Sequence, residues 1–216
     1  MHYKIVEIFH SIEGEGKRAG QTAAFVRFAG CNLNCSYCDT RYARGDTGTL
    51  MTAEEIFDKI GDFKRITLTG GEPLLVPGIE YLINKMVKLG MKINIETNGS
   101  SDISSLLNLS QEQLFFTIDY KLPSSGETDK MLLSNFAKLR PCDVLKFVVG
   151  NETDIPVMTD FIKSLMSNPY IYAGTVFGSY EPSKLVQHLV NIPELRNVQL
   201  QLQLHKFIWD PLERGV

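Results

Sequence analysis

The sequence has no long apolar run and no block of basic residues. A transmembrane helix needs about 20 consecutive apolar residues, and no stretch of this chain approaches that length. The 22 Lys and Arg residues are outnumbered by 25 Asp and Glu residues, for a net charge of −3. Nucleic-acid binding, in contrast, depends on a basic surface that displaces counterions. We therefore expect small-molecule ligands, with neither a membrane nor a nucleic-acid partner.

Cysteine is scarce as well, with 4 residues among 216. Secreted domains that rely on disulfides carry a higher density of cysteines, and the first residues show no targeting segment. We therefore expect free thiols and a reducing, cytoplasmic environment. Cys142 stands alone at the head of an apolar run, which favours a small buried side chain at that position.

Linkers are also missing, because no Pro-, Gly- or Ser-rich stretch divides the chain. The hydrophobic content of 44% and the charged content of 22% are typical of globular domains. A chain of 216 residues is long enough to bury a sizeable core. We expect a single domain over residues 1–216.

The other three cysteines, Cys31, Cys35 and Cys38, form a C-x3-C-x2-C arrangement. Three thiolates fill only three of the four corners of a metal centre, and no fourth Cys or His lies nearby in the sequence. Iron–sulfur clusters are usually closed by four cysteines, so one iron would stay open to a cofactor or substrate. Zinc is the alternative, but it prefers a closed tetrahedral set, commonly with a second C-x2-C pair that this chain lacks.

Short apolar segments alternate with helical patterns through most of the chain. We predict strands at residues 4–9, 22–29, 65–69, 91–96, 115–120, 144–149, 170–177 and 197–204. Helices are expected after a capping box at residues 52–55 and at residues 79–89, 154–166 and 182–190. This alternation indicates an α/β fold with mostly parallel strands, and six or so units are too few for an eight-stranded barrel.

Polar motifs follow four of the predicted strands. They are GGEP at residues 70–73, ETNG at 96–99, DYK at 119–121 and QLHK at 203–206. The carboxyl ends of parallel strands share one face of the sheet, where the following loops build active sites. We therefore expect the four motifs to line one site at the strand carboxyl ends.

The first two strands are joined by residues 10–17, in which two glycines alternate with two carboxylates. Glycine lets the backbone approach a ligand closely, and carboxylates accept hydrogen bonds from N–H donors. A solvated turn is the alternative. Arg27 is a lone charge in the next apolar strand, so it needs an anion, which is Glu13, Glu15 or a substrate carboxylate.

The cysteine motif, with Tyr37 before its last cysteine, and the GGEP turn resemble the signature of radical S-adenosylmethionine (SAM) enzymes. The resemblance implies a partial (β/α)6-type barrel whose open side is plugged by an N-terminal hairpin extension and the C-terminal tail. It also implies a [4Fe–4S] cluster on the three cysteines and SAM as the cofactor. The cofactor radical would do the chemistry, without a catalytic side chain.

Further segments resemble one family of that superfamily, the 7-carboxy-7-deazaguanine synthases. These segments are residues 11–16, 25–33, 38–40, 96–99 and 203–206, so the resemblance covers nearly the whole chain. It implies ring contraction of 6-carboxy-5,6,7,8-tetrahydropterin to 7-carboxy-7-deazaguanine with loss of ammonia, assisted by Mg²⁺, on the route to queuosine. The implied partners are the pterin, an electron donor such as flavodoxin or ferredoxin, and a second copy in a homodimer.

The resemblance also assigns site residues, position by position. The implied metal ligands are Cys31, Cys35 and Cys38 for the cluster and Thr40 for Mg²⁺. The residues implied at the cofactor are Tyr37, Asp39, Gly70, Gly71, Glu72, Gly99, Asp119 and Lys121. The residues implied at the substrate are Ile12, Glu13, Gly14, Glu15, Arg27, Thr97, His205 and Val216.

Two positions depart from the usual pattern of the family. Glu13 stands where members usually carry Gln, and a carboxylate cannot donate a hydrogen bond as an amide can. Asp119 and Tyr120 stand where many members have Ser and Pro, although Lys121 is kept. Two other functions stay open: a radical-activating protein that acts on a glycine of a partner enzyme, and a non-enzymatic module that binds zinc or carries electrons.

Overall fold

The computed structural model describes residues 1–109 and 111–216. Their strands are β1 (His2–Ile12), β2 (Thr22–Phe28), β3 (Thr49–Thr52), β4 (Arg65–Gly70), β5 (Lys92–Thr97), β6 (Leu114–Tyr120), β7 (Val144–Val149), β8 (Tyr170–Thr175) and β9 (Gln199–Leu200). All belong to one open sheet, in the order β3-β1-β2-β4-β5-β6-β7-β8-β9. β1 is antiparallel to β2 and β3, and the pairs from β2 onward are parallel. The predicted α/β class and mostly parallel sheet are confirmed.

The α-helices of the described residues are α1 (Ala53–Ile60), α2 (Ile79–Lys88), α3 (Leu133–Ala137), α4 (Asp154–Ser164), α5 (Pro182–Asn191) and α6 (His205–Ile208). The predicted capping box opens α1: the Glu55 N–H donates to Thr52 Oγ1 (3.2 Å), and the Thr52 N–H donates to the Glu55 carboxylate (2.7 Å). The short elements β3, α3 and α6 were not predicted. Among the described residues, no helix has the length and apolar character needed to cross a membrane.

The last predicted strand is much shorter than expected. β9 pairs with β8 only at Gln199 and Leu200. After Gln201 the chain leaves the sheet edge, and the Leu204 N–H donates to the Gly14 carbonyl of the first hairpin (3.0 Å). The tail is therefore drawn toward the hairpin instead of extending the sheet.

The two faces of the parallel sheet differ in polarity. The apolar face packs against the helices in one continuous core, which includes Ile66, Leu68, Ile93, Ile95, Phe116, Ile118, Leu82, Met86 and Met158. Successive residues of a strand point to opposite faces, and the other face carries Thr67, Asn94 and Thr117, all buried. The Thr117 hydroxyl donates to Asn94 Oδ1 (2.9 Å). This polar inner face leads up to the carboxyl ends of the strands.

The tip of the β1–β2 hairpin covers this inner face. The Arg18 guanidinium lies 3.1 Å from the centroid of the Phe115 ring on β6, and the Lys17 ammonium lies 4.0 Å from the centroid of Tyr170 on β8. Such cation–π contacts stabilise a pair most when it is shielded from water. The hairpin tip therefore lies over the inner face of the sheet, against β6 and β8.

Candidate active site

The three cysteines of the motif lie in the loop after β2, at the carboxyl edge of the sheet. Cys31, Cys35 and Cys38 are free, partly buried thiols, and Cys31 and Cys35 pack against the hydrophobic core. Burial raises the pKa of these two thiols, so iron binding has to displace their protons. No group of three His, Cys, Asp or Glu side chains in residues 1–109 and 111–216 could hold a single metal ion. Thiolates that each bind a different iron of one cluster need not converge on a point.

Mostly neutral hydrogen bonds fix this cysteine loop, residues 30–44, to neighbouring strand ends. The Ser36 N–H donates to Ser125 O (3.0 Å), and the Ser36 hydroxyl donates to Ser124 O (2.6 Å), both in the segment after β6. The Asn98 side-chain amide, after β5, donates to Asn32 Oδ1 (3.1 Å). The protein itself therefore shapes the loop around the thiols.

The GGEP turn after β4 packs against the cysteine loop so closely that side chains would not fit. Gly70 has φ +145°, a conformation that favours glycine. A Cβ on Gly71 would lie 2.0 Å from Gly30 O, and the Glu72 N–H donates to that same oxygen (2.8 Å). The two glycines therefore allow the backbone of the turn to contact the backbone of the cysteine loop.

Glu72 is completely buried, and its carboxylate joins the ends of β4 and β5. It accepts hydrogen bonds from the Thr97 hydroxyl (2.8 Å), the Asn98 N–H (2.7 Å) and the Leu74 N–H (3.0 Å). Burial raises the pKa of Glu72 to about 7, against the effect of these donors. The expected roles of Glu72 at the cofactor and of Thr97 at the substrate stay predictions, because here the two side chains bind each other.

Four alternating charges, which we call the charge chain, cross the carboxyl edge: Glu15, Lys146, Asp119 and Lys121. Lys146 Nζ lies 2.8 Å from Glu15 Oε2 and 3.2 Å from Asp119 Oδ1, and Lys121 Nζ donates to Asp119 Oδ2 (2.6 Å). Burial alone would raise the pKa of Asp119, but Lys121 and Lys146 hold it below its usual value. Sequence reasoning missed Lys146, although a lone lysine in the apolar strand β7 was a signal of the same kind as Arg27.

Tyr37 and Gly99 lie beside the charge chain. The Tyr37 hydroxyl approaches the carbonyl of Val148 on β7 (3.5 Å), and burial raises its pKa to about 12. Gly99 has φ +80°, and a Cβ there would lie 2.6 Å from Asp119 O. The structure thus brings these two residues, predicted at the cofactor, close to Asp119, predicted there too.

Arg27 pairs with Glu7, and the expectation of a partner at Glu13 or Glu15 is wrong. Arg27 Nε donates to Glu7 Oε1 (2.6 Å), which also accepts from the Tyr42 hydroxyl (2.9 Å). Glu7 faces Arg27 in the register of β1 and β2, and the sequence alone does not fix that register. Among the described residues, no hydrogen bond uses the two Nη atoms of Arg27, so its outer edge can still bind a carboxylate.

The tail meets both loops of the site. His205 packs on Gly14 of the hairpin, where a Cβ would lie 2.3 Å from the imidazole Nδ1. Burial lowers the pKa of His205 and so favours its neutral form. Lys206 Nζ donates to Asp39 Oδ2 of the cysteine loop (3.3 Å). Lys206 is a second residue that sequence reasoning left out, although it belongs to the QLHK motif.

Glu13 is buried below the hairpin tip, with 3% of its surface exposed. Its carboxylate accepts a hydrogen bond from the Thr67 hydroxyl of the inner face. Burial and the neighbouring Glu96 raise the pKa of Glu13 to about 7, while Thr67 and Arg18 act in the opposite direction. The side chain therefore fixes the hairpin to the sheet, whatever the adjoining backbone binds.

Thr40 and Val216, two further expected site residues, lie at the margins, and Ile12 is the last residue of β1. Thr40 Oγ1 is 3.7 Å from the Sγ of the third cysteine. In the tail, the Arg214 guanidinium lies 3.9 Å from the centroid of the Tyr42 ring, and Arg27 lies 5.9 Å from the same ring. Val216 is partly buried. The end of the chain thus lies in the neighbourhood of Arg27.

The fold and the cysteine loop are those expected of a radical SAM protein. Residues 25–120 match the family model described as the radical SAM superfamily. The fold is similar to that of QueE from Escherichia coli, with a TM-score of 0.73 and 21% identity over 93% of both chains. It is also similar to SuiB from Streptococcus suis bound to S-adenosylmethionine, with a TM-score of 0.52 and 14% identity over 82% of this chain and 48% of that one.

Curated relatives narrow the class to one family. The chain is 45% identical to a 7-carboxy-7-deazaguanine synthase of Clostridium acetobutylicum, over 100% of both chains. It is 36% identical to the enzyme of that name from Chlorobaculum tepidum, over 98% of this chain and 96% of the relative. The chain belongs to the 7-carboxy-7-deazaguanine synthase family, and membership of the radical SAM superfamily implies a [4Fe–4S] cluster and SAM.

The residues present fit both groups. Three half-buried thiols lie in a loop that other strand ends hold in place. Among the described residues, Asp119 Oδ1 is buried and accepts no hydrogen bond, although Lys146 Nζ lies 3.2 Å away as an ion-pair partner. A carboxylate oxygen has further acceptor capacity, which a ligand hydroxyl can use.

Proposed function

We propose that this chain converts 6-carboxy-5,6,7,8-tetrahydropterin to 7-carboxy-7-deazaguanine with loss of ammonia, in queuosine and 7-deazapurine biosynthesis. The observation that carries the proposal is one edge of the sheet, where the cysteine loop, the charge chain and Arg27 meet. Relatives that carry the synthase name match over the full length. The radical-activating protein is not favoured, since the named relatives are synthases.

The protein's part is to bind and orient the substrate. When bound, the cluster and SAM supply the 5′-deoxyadenosyl radical that starts the rearrangement. The free Nη edge of Arg27 would clamp the pterin carboxylate, while the backbone of Ile12 to Gly14, with Glu15, would bind the pterin ring. Thr97, His205 and Val216 would complete the pocket. Holding the reacting carbon close to the cofactor is the main contribution expected of such a site.

The cofactor side comprises the residues around the charge chain. Cys31, Cys35 and Cys38 would hold the cluster; SAM would be held by Tyr37, Asp39, Gly70, Gly71, Glu72, Gly99, Asp119 and Lys121. The Thr40 hydroxyl would bind Mg²⁺, which prefers oxygen ligands and keeps few protein ligands. Asp39 lies next to Thr40 and would support the ion. Removal of Mg²⁺ with a chelator, followed by its return, tests this assignment through the rate of product formation.

We further propose a single domain over residues 1–216, a cytoplasmic location, a flavodoxin or ferredoxin as electron donor, and a homodimer. Exposed apolar residues near the C-terminus support an interface: Phe207 is 64% exposed, Ile208 55% and Leu212 89%, and surfaces of this kind mark interaction sites. The mass of the cluster-loaded protein, measured by light scattering during size-exclusion chromatography, tests the dimer. A monomer at micromolar concentration would contradict it.

The test of the reaction is an anaerobic turnover assay. The cluster-loaded protein is incubated with dithionite, Mg²⁺, SAM and 6-carboxytetrahydropterin, and the products are identified by mass spectrometry. The expected result is 7-carboxy-7-deazaguanine, formed only when SAM is present. Cleavage of SAM to 5′-deoxyadenosine without that product would overturn the substrate, and an absence of cleavage would overturn the radical reaction.

A further inference from the structure

Lys146 is a largely buried lysine at the active-site edge, and the proposed reaction gives it no role. It lies in the middle of β7, whose sequence is otherwise apolar (VLKFVV). Its side chain is 13% exposed. A lysine is rarely buried unless its charge is paired, so its partners are informative.

Those partners belong to two different segments. Nζ lies 2.8 Å from Glu15 Oε2, on the hairpin, and 3.2 Å from Asp119 Oδ1, at the end of β6. The attraction of Asp119, Glu15 and Glu96 outweighs burial and raises the pKa of Lys146 well above its usual value, so the ammonium is charged. Among the described residues, Lys146 is the one side chain that forms ion pairs with both the hairpin and the DYK motif.

Each of the two segments is assigned to one of the two reactants. Under the proposed function, Glu15 belongs to the loop that binds the pterin and Asp119 to the segment that binds SAM. A radical reaction needs the substrate carbon at a fixed, short distance from the cofactor, and a small misplacement is costly. A rigid strand that presents one ammonium to both segments is suited to set that distance.

We propose that Lys146 is a positioning residue that couples the substrate loop to the cofactor segment by holding Glu15 and Asp119 together. This inference rests on the proposed function. Lys146 does not need to touch the reacting atoms. A lysine that merely balances charge would affect folding but not the alignment of the two ligands, whereas loss of a positioning lysine would change that alignment.

The first test compares Lys146→Met and Lys146→Arg with the wild type under anaerobic turnover. Misalignment should let SAM be cleaved without productive reaction. We expect Lys146→Met to raise the ratio of 5′-deoxyadenosine to 7-carboxy-7-deazaguanine at least tenfold, and Lys146→Arg, which keeps the charge, to restore it in part. Lys163→Met, which removes a lysine that is 48% exposed on α4, is the matched control and should leave the ratio unchanged.

A change in folding alone would lower both products in parallel, so an unchanged ratio in Lys146→Met would overturn the proposal. If Lys146→Met fails to fold or to hold the cluster, Lys146→Gln decides, because it keeps a polar side chain but removes the charge that attracts both carboxylates. Its ratio should exceed that of the wild type. A ratio equal to the wild type in Lys146→Gln would contradict the positioning role.

A binding measurement makes the test independent of the pterin. Among the described residues, Glu15 forms no ion pair with the cofactor segment, and its ion-pair link to Asp119 passes through Lys146. We expect Glu15→Gln to change the Kd for SAM about threefold in the wild-type background and not at all when combined with Lys146→Met. Equal effects in both backgrounds, or none in either, would overturn the coupling. A wild type that makes no 7-carboxy-7-deazaguanine, yet shows this coupling, would contradict the proposed function alone.

Discussion

The two sides of the active-site edge are held together by different forces. On the cysteine side, the loop of residues 30–44 is fixed mainly by backbone amides, hydroxyls and side-chain amides from neighbouring strand ends. On the charged side, ion pairs link the hairpin to the sheet, where Lys146 pairs with Glu15 and Asp119, and link the tail to the cysteine loop, where Lys206 pairs with Asp39.

The difference corresponds to what each side has to do. Short neutral hydrogen bonds in a close-packed loop hold one geometry, which suits thiols that must meet a cluster of fixed size. Ion pairs can exchange one partner for another when a charged ligand arrives, because a substrate carboxylate offers the same attraction as a protein carboxylate. We infer that the cysteine side has its ligand-bound geometry before the ligands arrive. The charged side reaches its final geometry only when the ligands bind.

The largest effect is expected from a change on the cysteine side. Cys35→Ala removes one of three thiolates, and the two that remain cannot hold a cluster whose fourth iron already lacks a cysteine. We expect loss of the brown colour after reconstitution and loss of SAM cleavage below detection. Cys142→Ala is the control and should keep both, because Cys142 lies in the turn before β7. A coloured, active Cys35→Ala protein would refute the assignment of the ligands.

On the charged side, Arg27→Met should separate cofactor chemistry from substrate binding. Truncating one partner of a buried, hydrogen-bonded charge pair costs about 2–4 kcal/mol, or roughly 30- to 1,000-fold in kcat/KM for the pterin. SAM cleavage without substrate should survive. Arg27→Lys should be intermediate, since an ammonium lacks the two-pronged geometry of a guanidinium.

The control for Arg27 is the exposed Arg196, whose replacement by Met should leave kcat/KM unchanged. Steady-state kinetics with the pterin varied measure the effect. A kcat/KM within a factor of three of the wild type in Arg27→Met would mean that Arg27 only pairs with Glu7 and does not reach the substrate.

A third change tests how much the hydrogen bonds accepted by Glu72 stabilise the fold. Glu72→Ala would leave the Thr97 hydroxyl and the N–H groups of Asn98 and Leu74 without their acceptor. We expect a loss of about 2–3 kcal/mol in the free energy of unfolding, seen as a lower thermal midpoint. Glu72→Gln keeps an acceptor and should lose less. Glu80→Ala removes an exposed carboxylate and is the control, which should change the thermal midpoint little. A Glu72→Ala midpoint equal to that of the wild type would mean that these hydrogen bonds do not stabilise the fold.

The smallest effect concerns Glu13 and depends on pH. Its pKa in the folded protein is about 7, above the value of about 4.3 in an unfolded chain. Between these values the folded state keeps a proton that the unfolded state has lost, so stability falls as pH rises through this window. Glu13→Gln cannot ionise, and we therefore expect it to be more stable than the wild type at pH 8.

The advantage of Glu13→Gln should shrink as the pH falls from 8 to 5 and vanish below about pH 4, where Glu13 is protonated in both the folded and the unfolded state. Thermal midpoints of the two proteins at several pH values measure this difference, and the other titrating groups cancel because both proteins share them. A constant difference between pH 5 and pH 8 would show that Glu13 does not titrate in that range.

Sequence reasoning located the segments that form the cysteine side, but it did not find the partners of the charged residues. Local patterns can be recognised in a sequence without knowledge of the fold. The spacing of Cys31, Cys35 and Cys38 and the glycines of the GGEP turn are patterns of this kind. The partners of Lys146 and Arg27 depend on which strands are neighbours and on their register, which no single segment encodes. Glu72 shows the same limit, since its three donors come from two separate segments.

Hydrogen–deuterium exchange of the cluster-loaded protein tests the contrast between the two sides most directly. The exchange is followed in the presence of SAM, before and after the pterin is added. We predict slow exchange for the backbone amides of residues 30–38 from the start, and slowing at residues 13–16 and 203–216 only after the pterin binds. A cysteine loop that exchanges freely until the pterin arrives, or a hairpin and tail that do not respond to it, would contradict the account.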